Sequence, residues 1–299
     1  MASIAVPIRV ATADDVRPAL SGAAAAARGG ADLVEWRVDR LATLDSGAAA
    51  LEEIVRESPL PSIVTCRAAD EGGEFSGKES ERVSLLHHLA DAGAVPAYVD
   101  VEYARWTASG DLAATTSALR RLGSKLILSA HDFAGRPPEL QDVFQRIHDA
   151  AESDVTKVAW VANSVLDDLE CAAMLEAAPR PTIALCMGAP GLLTRVFAGL
   201  WGGLLTFAAL EPGAGSAPGQ PTLGELRSQY RMQEIDSDTE LVPVFEADAD
   251  LKALNARLRE QGRNAVALPL GHPTPEQLPA LREALSRTPF LHIDPAWLA

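Results

Sequence analysis

The sequence is short of several things, and each shortage removes a class of function. Its three cysteines, Cys66, Cys171 and Cys186, lie far apart, with no CxxC pair and no histidine cluster beside them. That spacing offers neither a disulfide framework nor a zinc site, and it fits a reducing compartment such as the cytoplasm. There is no long apolar run and no basic N-terminal region leading into one. Neither a membrane span nor a secretory leader is therefore expected. Positive charge is outweighed: the formal net charge is -15, which disfavours non-specific binding to nucleic acid. A glycine-rich fingerprint after the first apolar stretch is also missing, and Thr12-Ala13-Asp14-Asp15 stands there instead. What remains is a chain of 299 residues, 47% of them apolar. That is enough for a substantial core in one large domain or two smaller ones.

The apolar residues are laid out in a repeating unit. Strand-like runs occupy residues 4–11, 33–38, 62–67, 97–102, 125–131, 155–161, 182–187 and 204–210. Helical runs fall between them at 14–28, 48–56, 79–92, 111–122, 139–150, 166–177 and 192–201, and an eighth follows at 223–232. Alternation of this kind predicts a parallel sheet with right-handed crossovers. Eight units in roughly 235 residues is the size of a closed (β/α)8 TIM barrel. The competing open, doubly wound sheet would usually carry the missing fingerprint. Residues 236–299 read differently: strand 240–245, helix 248–261, strand 264–270, a Pro-rich connection, then a short helix 275–286. This βαβα extension is too short to bury a sizeable core alone. It is expected to pack on the barrel or on a second subunit.

One run stands out, Asp154-Val-Thr-Lys-Val-Ala-Trp-Val161. Its β-branched residues predict a strand, and strand alternation puts Lys157 on one face with Val155, Ala159 and Val161. The other face, Thr156, Val158 and Trp160, is largely apolar too, as in a sheet buried on both sides. A charged lysine there is costly, and burial in general favours the neutral amine. A neutral amine can attack a ketone and form an imine. The plain alternative is a lysine that reaches the sheet edge or pairs with a carboxylate.

In a barrel of this kind the site lies at the C-terminal ends of the strands, and polar groups collect there. The second strand ends in Glu35, Arg37 and Asp39, and the third in Arg67 followed by Glu71-Gly72-Gly73-Glu74. The fourth carries Asp100 and Glu102, the fifth ends Ser129-Ala130-His131-Asp132-Phe133, and the sixth holds Lys157. The seventh ends Met187-Gly188 with Arg195 just beyond, and a loop with Ser216-Ala217-Pro218-Gly219-Gln220 follows the eighth. Each piece has a structural reading: an ion pair between Glu35 and Arg37, a hydrogen-bonding His131, a plain turn at 71–74, a core Met187. Those readings leave unexplained why Lys157, His131 and three arginines map to one end of one barrel. Such a set suits an anionic keto substrate, with arginines gripping its carboxylate.

Taken together, these motifs resemble type I 3-dehydroquinate dehydratase over residues 4–232. The resemblance implies a (β/α)8 fold, often dimeric, with no metal or organic cofactor, acting in the shikimate pathway. By the same resemblance Lys157 matches the Schiff-base lysine and His131 the general acid/base, with Glu35 tuning both. Glu35, Arg37, Arg67, Arg195, Ser216 and Gln220 match substrate contacts, Arg195 as the carboxylate clamp. Glu71, Met187 and Phe207 fall at pocket positions. The chain departs from the pattern at Ala11, where the family often has serine, and in a slightly longer loop before Ser216. The tail more weakly resembles a truncated shikimate dehydrogenase substrate domain. It lacks that family's catalytic lysine, since Leu270-Gly271-His272 follows Pro269. A chance likeness and a catalytically silent remnant are both open for it. The alternatives to the dehydratase are a class I aldolase-like Schiff-base lyase and a non-catalytic metabolite-binding barrel.

Overall fold

Eight short strands run parallel in the order β7-β6-β5-β4-β3-β2-β1-β8. They are β1 (Ser3–Arg9), β2 (Leu33–Arg37), β3 (Ser62–Thr65), β4 (Tyr98–Glu102), β5 (Lys125–Asp132), β6 (Val155–Val161), β7 (Thr182–Met187) and β8 (Leu205–Phe207). The remaining seam, between β7 and β8, carries a backbone bond from the Leu204 N–H to the Thr182 carbonyl at 2.8 Å, bringing the sheet round to a (β/α)8 barrel. This computed structural model describes residues 1–246, 249–271, 276, 278–288 and 291–293; Asp248 and Pro275, where two of the expected tail helices start, and His272 lie outside them.

Alternation along the strands builds the barrel's contents in layers. Ala5, Leu33, Ile63, Ile127, Val155, Ile183 and Leu205 all point inward and form a dry floor. Two residues further along β2 to β6 the inward positions change character, to Glu35, Thr65, Asp100, Ser129 and Lys157, while β7 and β8 stay apolar with Leu185 and Phe207. The intervening residues, such as Val34, Trp36, Val64, Val158 and Trp160, face outward into the shell beneath the helices. The switch from apolar to polar at one height confines the site to one end.

The outer helices are α1 (Val16–Arg28), α2 (Gly47–Arg56), α3 (Glu79–Ala92), α4 (Tyr103–Ala108), α5 (Gly110–Arg121), α6 (Leu140–Asp149), α7 (Val165–Ala177) and α8 (Leu192–Val196). Three differ from expectation. Helix α4 was not foreseen. Helix α8 ends at Val196 rather than continuing to Trp201. The chain there passes so close to the N-terminus that a side chain at Gly199 would lie 2.6 Å from the Ala2 nitrogen. The eighth helical run is one π-type turn, Glu225–Gln229. The eighth strand, expected over 204–210, is limited to three residues.

The tail forms its own parallel sheet in the order β10-β9-β11, from β9 (Glu240–Val244), β10 (Ala265–Pro269) and a two-residue β11 (His292–Ile293) that the sequence did not suggest. Helices α9 (Leu251–Glu260) and α10 (Leu278–Ser286) complete it. One face of β10 (Val266, Leu268) joins the barrel's outer apolar cluster, while the other (Ala265, Ala267) packs with Leu258 of α9. Strand β10 lies against α8. The tail therefore packs on the barrel, one of the two placements its size left open.

Candidate active site

All the candidate side chains line one cavity of about 50 Å³ at the C-terminal end of the barrel: Glu35, Arg37, Arg67, Glu71, His131, Lys157, Met187, Arg195, Phe207, Ser216 and Gln220. Gly72, Phe133, Ala159, Leu185 and Ala217 complete the wall. Ala11 is absent from it.

Lys157 is 4% exposed. Its Nζ lies 2.6 Å from Asp100 Oδ2 and 4.8 Å from the centre of the Phe207 ring. The carboxylate pairing that the sequence left open is thus present, and it coexists with a place in the cavity wall. Asp100 is shared. Its Oδ1 accepts from Arg67 Nη2 and from the Ser129 hydroxyl, each at 2.6 Å. Arg67 also donates to Ser129 Oγ at 2.8 Å and faces Glu102 at 3.3 Å. Burial alone would raise the Asp100 carboxyl, but Arg67 and Lys157 outweigh it and hold it far below the usual carboxylate range. Asp100 therefore stays ionised and keeps two buried cations in place.

His131 is fixed by Glu71. One Glu71 oxygen takes both the His131 backbone N–H and ring Nδ1, each at 3.0 Å. Burial, with Arg67 and Lys157 nearby, pushes the imidazole well below the ordinary histidine range, against the pull of Asp100. The ring is neutral at pH 7, with Nε2 left for other partners. Burial also lifts Glu71, to about 7; Glu102 and Asp100 add to the rise, while Arg67 and the His131 N–H oppose it. The turn carrying Glu71 is tightly built. Gly72 has φ 76° and lies under the Phe133 ring, and a side chain at Gly73 would come 2.0 Å from the Arg67 carbonyl. The Glu71-Gly72-Gly73-Glu74 sequence is therefore more than a plain turn: its glycines let the backbone press against Arg67 while Glu71 reaches His131.

Arg37 pairs with Asp39, at 2.7 Å and 3.3 Å, and not with Glu35. Burial works against its charge, and Glu35 and Asp39 outweigh that effect. Asp39 also accepts the backbone N–H groups of Arg67 and Glu74, each at 2.9 Å, so it ties the ends of β2 and β3 together. Glu35 accepts the Thr65 hydroxyl at 2.8 Å. Among the described residues it hydrogen-bonds to neither His131 nor Lys157. Those groups find Glu71 and Asp100 instead, and the sequence had given Asp100 and Ser129 no role.

The β7–β8 side of the cavity is different. Arg195 is 2% exposed, yet no ion pair or hydrogen bond engages it among the described residues. Burial lowers it to about 10, against the pull of Cys186 and Asp168. Gln220 Oε1 is taken by the Ser216 N–H at 2.8 Å, while its buried Nε2 has no partner. The 216–220 loop is docked: the Gly188 N–H donates to the Pro218 carbonyl at 3.0 Å. A side chain at Gly219 would lie 2.2 Å from the Gly188 oxygen. The three cysteines are free and buried. Among the described residues, no helix is long and apolar enough to cross a membrane.

Comparison with known proteins places these features in context. The family model described as type I 3-dehydroquinase matches residues 4–237. The 3-dehydroquinate dehydratase of Methanococcus maripaludis is 35% identical over 223 residues, which is 74% of this chain and 96% of that protein. The bifunctional 3-dehydroquinate dehydratase/shikimate dehydrogenase of Arabidopsis thaliana is 33% identical over 218 residues, 72% of this chain. The match spans only 35% of that longer protein. Among solved structures, the type I 3-dehydroquinate dehydratase of Clostridium difficile, with covalently modified comenic acid, superposes with a TM-score of 0.66 at 26% identity. It covers 78% of this chain and 94% of that one. A structure of dehydroquinate dehydratase and shikimate dehydrogenase from S. pombe covers 94% of this chain and 54% of that one, with a TM-score of 0.59 at 24% identity, a likeness of fold.

Proposed function

The chain belongs to the type I 3-dehydroquinase family, and on that premise we propose how its own residues carry out the reaction. The activity is that of a 3-dehydroquinate dehydratase, a hydro-lyase that converts 3-dehydroquinate to 3-dehydroshikimate and water in the shikimate pathway. Lys157 is the nucleophile. Neutral His131 takes a proton from the Lys157 ammonium, the freed amine attacks the ketone, and His131 returns the proton to the oxygen as it leaves as water, giving the protonated imine. The imine acidifies the adjacent C–H because the electron pair left behind is stored as an enamine. Neutral His131 takes that proton and returns one to the departing hydroxyl, so one water leaves. A second water then hydrolyses the conjugated imine, releasing the enone and Lys157. Asp100 holds the lysine at the cavity floor, and Glu71 orients the imidazole. Glu35 faces the substrate beside them. Its expected tuning of the lysine and the histidine passes to Asp100 and Glu71, which touch those groups directly.

Substrate binding falls to Arg37, Arg67, Arg195, Ser216 and Gln220, with Met187 and Phe207 as apolar walls. Arg195 takes the carboxylate, because it is the buried cation left without a partner among the described residues. A cavity of about 50 Å³ holds a few waters but not a ring acid. Residues 1–235 act as the catalytic barrel and 236–299 as a non-catalytic extension. The protein works in the cytoplasm as a homodimer.

The observation that carries this reading is the buried Lys157–Asp100 pair inside a cavity that also presents neutral His131 and unpaired Arg195. Its test is enone absorbance after adding 3-dehydroquinate. The wild type should show a steady rise, and Lys157→Ala should lose at least about 10⁴-fold of the rate. A Lys157→Ala variant that retains turnover would remove the nucleophile assignment.

A further inference from the structure

Helix α8 carries Arg195 and is only five residues long, Leu192–Val196. A helix of that length has little stability of its own, and its N-cap, Gly191, has no side chain to cap it. The start of the helix is tied down from elsewhere. Asp168, on α7 and fully buried, accepts the Thr194 N–H through Oδ1 at 3.2 Å. The Thr194 hydroxyl accepts the Cys186 N–H at 3.0 Å and donates to the Gly191 carbonyl at 2.8 Å. The neighbouring Asp167 does an ordinary job, capping its own helix through the Asn163 N–H at 2.6 Å. Asp168 turns inward instead, and its Oδ2 has no partner among the described residues. Asp168 and Arg195 lie within electrostatic reach of each other, yet they form no salt bridge among the described residues.

We propose that Asp168 is a positioning residue: through the Thr194 backbone it fixes the turn that bears Arg195, while leaving the guanidinium free for the substrate carboxylate. This inference rests on the reading of Arg195 given above. A carboxylate beside Arg195 would normally pair with it and compete with the substrate. Burial raises Asp168 well above the usual carboxylate range, which weakens its hold on the guanidinium, and its hydrogen bond goes to the Thr194 N–H instead.

Steady-state kinetics on the full-length protein with 3-dehydroquinate test this. Asp168→Ala should raise KM about five- to tenfold and change kcat less than twofold. Asp168→Asn keeps an oxygen for the Thr194 N–H without a charge, and should bring KM back to within twofold of wild type. If Asn raises KM as much as Ala, the carboxylate acts through its charge and the proposal is wrong. It is equally wrong if Ala lowers the melting temperature and kcat but leaves KM alone. Should Asp168→Ala fail to fold, Thr194→Val loosens the same turn from β7 and should raise KM without lowering kcat. An unchanged KM there overturns the idea. Arg195→Met separates the two claims, with an expected KM increase of about 10- to 100-fold. If Arg195→Met has no effect, the carboxylate clamp itself is misassigned. If it raises KM and the Asp168 and Thr194 variants do not, only the positioning role falls.

Discussion

The two sides of the cavity are built on opposite plans. From β2 to β6, every charged group in the wall that makes a hydrogen bond makes it to another group of the protein: Arg37 to Asp39, Arg67 and Lys157 to Asp100, His131 to Glu71. From β7 to β8, Arg195 Nε and Gln220 Nε2 are buried without partners. An unsatisfied buried donor costs about 1–3 kcal/mol, more when charged. Both line the cavity, where a ligand can complete them. The paired side holds reacting groups at fixed positions and charge states before the substrate arrives. On the reading proposed above, the substrate completes the unpaired side. On the same reading, the covalent chemistry falls to the paired arc, which also offers Arg37 and Arg67 to the substrate, and the carboxylate grip falls to the unpaired one.

Substitutions on each arc should therefore fail in different ways. The largest effect is expected at the hub of the paired side. Asp100→Ala leaves Arg67 and Lys157 as two buried cations, and should cost about 3–5 kcal/mol of stability by urea unfolding. A change below about 1 kcal/mol would mean that the network is not what holds those cations. Next is Glu71. Its carboxyl ionises near pH 7, and the ionised form, an acceptor only, takes a hydrogen bond from His131 Nδ1–H and strengthens Nε2 as a base. Activity should rise with pH through about 7 and then level off. Glu71→Gln should abolish that rise and lower kcat about 10- to 100-fold. A Gln variant with the wild-type pH profile would assign the step to another group. The smallest effect is expected on the unpaired side. Gln220→Ala should raise KM by about tenfold or less and leave unfolding unchanged. If it destabilises the fold instead, Gln220 belongs with the paired groups and the division fails.

Much of this was legible in the sequence, for physical reasons. A strand period of two forces Leu33, Glu35 and Arg37 onto one face, and Val155 and Lys157 likewise. The barrel and the membership of its rim therefore follow from pattern alone. Who pairs with whom does not. Asp100 meets Lys157 across β5, and the strand registers that allow it (Glu102 opposite Ser129, Ser129 opposite Lys157) exist only once the barrel is formed. The same holds for Arg37, which turns to Asp39 because Asp39 is already anchored by the Arg67 and Glu74 N–H groups. Asp168 was hidden for a different reason. Next to a true helix cap, one more acidic residue in a first helical turn reads as solvated, and only its burial shows otherwise. The tail's need to pack on something followed from its length, though not the choice of the barrel, whereas β11, two residues long, left no pattern to read.

The central claim is that Lys157 forms the covalent link, and the chain makes it easy to test. Of its four lysines, Lys78, Lys125 and Lys252 are exposed and Lys157 alone is buried. Intact-mass spectrometry after 3-dehydroquinate and borohydride should show one reduced adduct per chain, mapping to the peptide that contains Lys157. Adducts spread over the exposed lysines, or none while enone accumulates, would contradict the claim.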